Sequence, residues 1–167
     1  MQAQRIKIKP QAPKIDGRLD DAIWQQSPVS SDFLQLDPIE GEVASEKTTV
    51  QVAYDEEGLY VGIRCYDSDP QAIVSRLTRR DGETQADWIP LSLDPHLDRQ
   101  TGCFFTAYAS GSVIDGTYAD DRNKDETWNA VWEVATSIDA EGWSAEFYIP
   151  YYVMRFSPQD EYTWGLN

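Results

Sequence analysis

The chain has 167 residues, of which 41% are apolar and 12% aromatic, and carries a formal net charge of -15. That length suits one ordinary domain with a substantial core, and the composition excludes a disordered polypeptide. The charge sets the chain against nucleic-acid phosphates and anionic membranes, while neutral ligands, cationic partners and divalent cations are compatible with it.

In chain order, Met1-Gln2-Ala3-Gln4 reads as a trimmed start, and Ala3-Gln4 suits the end of a removed export signal. A short first strand is expected over Arg5 to Lys9, where apolar and basic residues alternate. Lys14 to Trp24 then predicts a turn and one short helical turn. Leu19, Ala22 and Ile23 are spaced i, i+3, i+4, Asp16 or Asp20 stands ready as cap, and Trp24 reads as a core plug.

Strands are expected at 33–36, 48–54, 59–66, 88–93, 102–110, 112–118, 131–138 and 143–149, with turns at Asp55 to Gly58, Asp67 to Pro70 and Gly111. The last two strands form a hairpin through Asp139-Ala140-Glu141-Gly142, closed by Pro150. Trp143, Ala145, Phe147 and Ile149 share one face of its second arm; Ser144, Glu146 and Tyr148 share the other. Many short strands at this spacing predict an all-β fold, an antiparallel β-sandwich with one short helical turn near the N-terminus. Residues 1–167 read as a single domain. Trp164-Gly165-Leu166-Asn167 stops in mid-strand, as expected of a domain excised from a longer protein. No apolar run approaches the roughly 18 residues of a membrane span, so direct insertion into a bilayer is not expected.

The candidate binding residues lie on adjacent strands. Ile89, Leu91 and Leu93 alternate to one side, and Trp88, Pro90 and Ser92 to the other; Cys103, Phe105, Ala107 and Ala109 oppose Phe104, Thr106 and Tyr108 in the same way. If the strands pair, Trp88, Phe104 and Tyr108 share an aromatic patch with Thr106 between them. Sugar C–H faces pack on such rings while hydroxyls meet polar neighbours. The same face equally suits a second core layer under a loop, or a protein contact. Trp132 reads as core.

Oxygen side chains alternate in Asp121, Asn123 and Asp125, and Asp94 and Asp98 flank a loop after a strand. Either group suits a hard cation such as calcium, although neither follows the EF-hand pattern. Cys65 and Cys103 sit in apolar strands, as two buried thiols or one disulfide. With one histidine, His96, they exclude a standard zinc site. No nucleophile elbow, phosphate loop or dinucleotide fingerprint occurs, so no catalytic residue is assigned.

Several segments together resemble family 9 carbohydrate-binding modules. Ile15-Asp16-Gly17-x-Leu19-Asp20-x-Ala22-x-Trp24 is similar to the family's opening signature, and Val52-x-Tyr54-Asp55-x-x-x-Leu59-Tyr60-Val61 to its central hairpin. Gly142-Trp143-x-x-Glu146-x-x-Ile149-Pro150 with Trp164-Gly165-Leu166-Asn167 is similar to its closing segment. Leu93-Asp94-Pro95-His96-x-Asp98-x-x-Thr101-Gly102 and Asp125-x-x-Trp128-x-x-x-Trp132-Glu133 resemble the branch found at the N-terminus of bacterial surface proteins, ahead of a predicted outer-membrane β-barrel.

The resemblance implies a sandwich of the kind shared with DOMON domains, non-catalytic capture of poly- or oligosaccharides beside carbohydrate-degrading partners, structural calcium, and an exported periplasmic or cell-surface location. The alternative it leaves is a structural or protein-docking domain that packs on its parent's barrel. Sugar-binding members carry a stacking tryptophan where this chain has Thr84, a carboxylate where it has Pro90, and Arg and Asn where it has Thr106 and Tyr108.

Overall fold

The computed structural model describes residues 4–5, 12–120, 123–157, 159 and 161–167. In chain order its elements are β1 (Gln4–Arg5), α1 (Ala22–Gln26), β2 (Val29–Ser30), β3 (Thr48–Tyr54), β4 (Gly58–Tyr66), β5 (Trp88–Asp94), β6 (Gly102–Tyr108), β7 (Val113–Ala119), β8 (Asn123–Asp125), β9 (Glu133–Asp139), β10 (Gly142–Pro150) and β11 (Gly165–Leu166). Short 3-10 turns occupy Pro70–Ala72 and Tyr151–Val153. The fold is all-β, of the sandwich class, with the one expected helical turn. The strands form two sheets, ordered β1-β3-β4-β10-β9 with β2 beside β3, and β11-β5-β6-β7-β8.

These sheets belong to two compact units. One runs to Ile73 and includes Glu133–Ile149; the other comprises Val74–Trp132 and Pro150–Asn167. Pairing in both is antiparallel except that the two-residue β1 runs parallel to β3. The remainder of the expected first strand, residues 6–9, lies outside the described residues. The expected strand at 33–36 is reduced to one bridge, Leu34 to Val43, in an exposed hairpin. The hairpin after β9 forms as the glycine signal predicts. Gly142 adopts φ 138, and a Cβ there would lie 2.1 Å from the Cys65 carbonyl oxygen, so only glycine admits this approach of the turn to the end of β4.

In the first unit, β10 is buried on both faces. Trp143, Phe147 and Ile149 are buried as their alternation predicts, but Ser144 and Glu146 on the opposite face are buried too. What covers that second face is the N-terminal turn. Glu146 Oε2 accepts the backbone N–H groups of Asp16 and Gly17 at 3.0 and 2.8 Å, and Oε1 accepts the indole N–H of Trp24 at 2.8 Å. Ser144 donates its hydroxyl to the Gly17 carbonyl at 2.6 Å. Gly17, at φ 84, leaves no room for a side chain, because a Cβ would sit 2.5 Å from the Thr136 carbonyl carbon.

Ile23, Trp24, Ala53 and Tyr60 form the apolar cluster beneath, with Ile15, Leu19 and Tyr148 packed on it. The Tyr60 and Tyr148 rings stack at 4.8 Å. Neither Asp16 nor Asp20 caps α1. Asp21 is the N-cap, without a capping bond of its own; its carboxylate accepts the Lys14 N–H instead. Among the described residues no helix is long and apolar enough to cross a membrane.

In the second unit, β6 is likewise buried on both faces. Leu91, Leu93, Phe105 and Ala107 are buried on one side, with Trp132 edge-on to Phe105 at 5.2 Å. On the other side, Phe104, Tyr108 and Ile114 form a cluster with Ala86 and Tyr118. The Phe104 ring lies over Gly116 of β7, where a Cβ would approach it to 2.5 Å. The preceding loop is tied to the strand ends by Thr78 N–H to Ser112 Oγ at 2.9 Å, Asp81 N–H to the Val113 carbonyl at 2.9 Å and Ala109 N–H to the Asp87 carbonyl at 2.8 Å. Asp115 is fully buried. It accepts from Arg80 and from the Ala130 N–H, and Arg80 also donates to the Ala130 carbonyl and to Asn129 Oδ1, which fixes the segment before Trp132.

Candidate functional site

β5 and β6 pair with Trp88 opposite Tyr108, Pro90 opposite Thr106 and Ser92 opposite Phe104, so the four sequence-selected residues do share one face. They do not form an open patch. Phe104, Thr106 and Tyr108 are 2%, 6% and 4% exposed, while Trp88 is 55% exposed. The physical reason is Gly116: its missing side chain lets the Phe104 ring settle on β7, and Tyr118, Ala86 and the Lys124 ammonium, 5.2 Å from the Phe104 ring centre, complete the cover. A ligand approaching this face meets Trp88 alone of the four. Among the positions that carry sugar contacts in the resembled family, Pro90 is exposed, Thr84 is half-buried, and Thr106 and Tyr108 are core.

The acidic loops are self-contained turns. Asp94 accepts the N–H groups of His96 and Arg99, one on each carboxylate oxygen. Asp98 accepts the N–H groups of Gln100 and Thr101 on one oxygen and the Thr101 hydroxyl on the other. The Thr101 hydroxyl, ahead of the backbone donors, holds the Asp98 carboxyl below its ordinary value. All four oxygens of this pair therefore accept hydrogen bonds from the loop itself. Asp125 takes the Thr127 hydroxyl and N–H on Oδ1, Asn123 is exposed on β8, and Asp121 lies outside the described residues. No three His, Cys, Asp or Glu side chains converge on one point among the described residues. Cys65 and Cys103 are not joined in a disulfide, and burial pushes the Cys103 thiol up to about 11.

Two cavities open at the other end of the β5–β6 sheet, around the Pro95–Leu97 loop. The first, about 310 Å³, is bounded by His96 and by the C-terminal segment carrying Phe156, Gln159, Glu161, Tyr162 and Trp164. Four rings gather there. Trp164 lies 5.0 Å from Phe156, 5.9 Å from Tyr151 and 6.1 Å from Tyr162, mostly edge-on, and Phe156 lies 5.2 Å from Tyr162. Tyr162 is 44% exposed, and its hydroxyl accepts the Gln159 N–H at 3.0 Å. The Trp164 indole N–H is buried and has no acceptor among the described residues. The second cavity, about 380 Å³, shares Pro95 and His96 and is lined by Tyr118, Trp128, Met154 and Arg155. Sequence reasoning passed over this region. The available signal was the density of aromatics in residues 151–164, but these residues follow no strand or helix period.

Among the described residues, the carboxylates of Glu146 and Asp115 are fully buried, and each accepts at least one backbone N–H. Burial pushes the Glu146 carboxyl up, against the three donors that favour its ionised form. Neither carboxylate lines either cavity.

This arrangement of sheets is the fold of solved carbohydrate-binding modules. Two structures of a family 9 module from Caldicellulosiruptor kristjanssonii are similar to it, each with a TM-score of 0.63. The module in complex with glucose is 16% identical, the match covering 93% of this chain and 71% of that one. The module in complex with cellotriose is 17% identical, over 93% and 70%. A candidate carbohydrate-binding protein from Bacteroides uniformis matches with a TM-score of 0.72 at 9% identity, over 98% and 79%. At these identities the likeness is one of fold. No protein-family model matches the sequence, and no curated protein matches it.

Proposed function

We propose that this chain is a non-catalytic carbohydrate-binding module whose sugar site is the aromatic cavity between the Pro95–Leu97 loop and Phe156, Gln159, Tyr162 and Trp164. The observation that carries the proposal is the composition of that cavity. Rings of Phe156, Tyr162 and Trp164 stand beside His96, Gln159 and Glu161 in about 310 Å³, a volume within the range of small-ligand sites. A pyranose needs this pairing: an aromatic surface for its C–H face, and donors and acceptors at the rim for its hydroxyls. Tyr162, 44% exposed, offers both a ring and a hydroxyl at this wall.

The structurally similar family 9 module was solved with glucose and with cellotriose, which makes β-linked glucans the first ligands to try. The wider reading adds export to the periplasm or cell surface, a parent protein concerned with carbohydrate breakdown and ending in a β-barrel, and a structural calcium ion held by Asp121, Asn123 and Asp125. The sequence resemblance supports these additions.

The test is titration of the protein with glucose and cellotriose, followed by tryptophan fluorescence and calorimetry, in the native chain and in Tyr162→Ala. Saturable binding that is lost in Tyr162→Ala and retained in Trp88→Ala is the expected result. Binding lost in Trp88→Ala instead moves the site to the β5 face. No binding to these or to an array of glycans overturns the proposal.

A further inference from the structure

From Leu19 to Glu46 the sequence contains no lysine, arginine or histidine and seven carboxylates: Asp20, Asp21, Asp32, Asp37, Glu40, Glu42 and Glu46. The second half of this stretch is the hairpin that replaces the expected strand at 33–36. It is held by its own hydrogen bonds: Gln35 N–H to the Glu42 carbonyl at 2.8 Å, Gly41 N–H to the Gln35 carbonyl at 2.9 Å, and the Gln35 side-chain amide to the Val43 carbonyl at 2.7 Å. Its apolar side chains face solvent. Leu34 is 64% exposed, Leu36 77%, Ile39 60% and Val43 75%.

Leu34 and Val43 are bridge partners and so share one face of the hairpin, and Leu36 and Ile39 follow in its exposed bend. Scattered single apolar residues on a surface need no explanation, but a contiguous set on an ordered element marks a contact surface.

We propose that this hairpin is a docking surface for a protein partner that presents an apolar strip flanked by lysine or arginine. Charge selects the occupant. A second copy of the chain would set the same carboxylates against each other, with a net charge of -15 on each molecule, and like charges facing each other oppose association. Anionic lipid is repelled for the same reason. A basic partner gains on both counts: its cations approach Asp32, Asp37, Glu40 and Glu42 while its apolar strip covers Leu34, Leu36 and Val43. The surface is independent of the aromatic cavity, so failure of either proposal leaves the other standing.

The probe is a fluorescein-labelled peptide of alternating leucine and lysine, with a peptide of alternating serine and lysine as the charge-matched control. Anisotropy titrations compare the native chain with Leu34→Ser/Leu36→Ser/Val43→Ser, which keeps every carboxylate. The expected result is that the leucine peptide binds the native chain and that the variant weakens it by about ten-fold or more, the scale of losing central apolar anchors. Both peptides binding equally, or the variant retaining full affinity, overturns the proposal in favour of general acidity.

Should the serine variant melt early, Glu40→Gln/Glu42→Gln replaces it, and unchanged affinity for the leucine peptide overturns the proposal in the same way. Sedimentation of the chain alone is expected to show a monomer. A dimer that the serine variant abolishes would assign the hairpin to a second copy instead.

Discussion

Glu146 is the residue whose removal should reveal most about how this chain is held together. It is fully buried, has no cationic hydrogen-bond partner among the described residues, and joins β10 to the turn at Asp16 and Gly17 and to the Trp24 indole. Glu146→Ala leaves two buried donors and one half-buried donor without an acceptor. Each buried donor so orphaned costs about 1–3 kcal/mol. Loss of a buried charge, which burial already disfavours, returns part of this, so the net loss should be about 3 kcal/mol. For a domain of this size that lowers the melting temperature by about 6–12 °C.

Glu146→Gln keeps the volume but offers one acceptor oxygen where the donors occupy both, so its amide N–H₂ faces an N–H in either rotamer. A loss of about 2 kcal/mol is expected. Trp24→Phe should be non-additive with Glu146→Gln, since both remove the same bond. The assay is urea denaturation followed by circular dichroism and tryptophan fluorescence.

The pH dependence has a definite sign. The folded-state pKa of Glu146 is raised, with burial as the first cause. Its contribution is therefore fully present below the ordinary glutamate value and is lost as pH rises through the folded value. The stability of the native chain relative to Glu146→Gln should thus grow as pH falls through that window. A loss below about 1 kcal/mol for Glu146→Ala, or a pH difference of the opposite sign, would refute the role given to these hydrogen bonds.

Four further outcomes are expected. Gly116→Ala forces a methyl against the Phe104 ring and the Asp125 carbonyl, at 2.5 and 2.6 Å, and should cost about 1–3 kcal/mol by overpacking; a neutral result would mean the ring is free to leave β7. Trp143→Ala should cost about 3–5 kcal/mol, as expected for a buried aromatic, measured by the same denaturation. Trp88→Ala, at a ring 55% exposed, should cost less than about 1 kcal/mol, and a larger loss would place Trp88 in the core. Asp94→Asn with Asp98→Asn should leave the response of the melting temperature to calcium and chelator the same as in the native chain, because these carboxylates accept donors of their own loop; a calcium-dependent shift confined to the native chain would show a cation held at this pair.

Much of the β architecture was legible in the sequence because strand period, glycine and proline act locally. The β9–β10 hairpin and the burial of Trp143, Phe147 and Ile149 follow from alternation and one glycine at φ 138. The signature at Ile15 to Trp24 and the glutamate at 146 were also legible as a pattern, but not as a bond between segments 122 to 130 residues apart. In the structure this stretch secures the scaffold, through its backbone N–H groups and the Trp24 indole bound to Glu146.

Alternation assigned Phe104, Thr106 and Tyr108 correctly to one face but could not say whether that face meets water. That depended on Gly116, on the strand opposite Phe104, and on a loop returning across it. The pattern at 33–36 predicted a strand but not the exposed hairpin bridged by Leu34 and Val43, and the aromatic residues that bound the cavity beside Pro95 to Leu97 follow no strand or helix period. Exposure and convergence are properties of chain path. Periodicity determines which side of an element a residue takes; only the tertiary arrangement decides what, if anything, covers it.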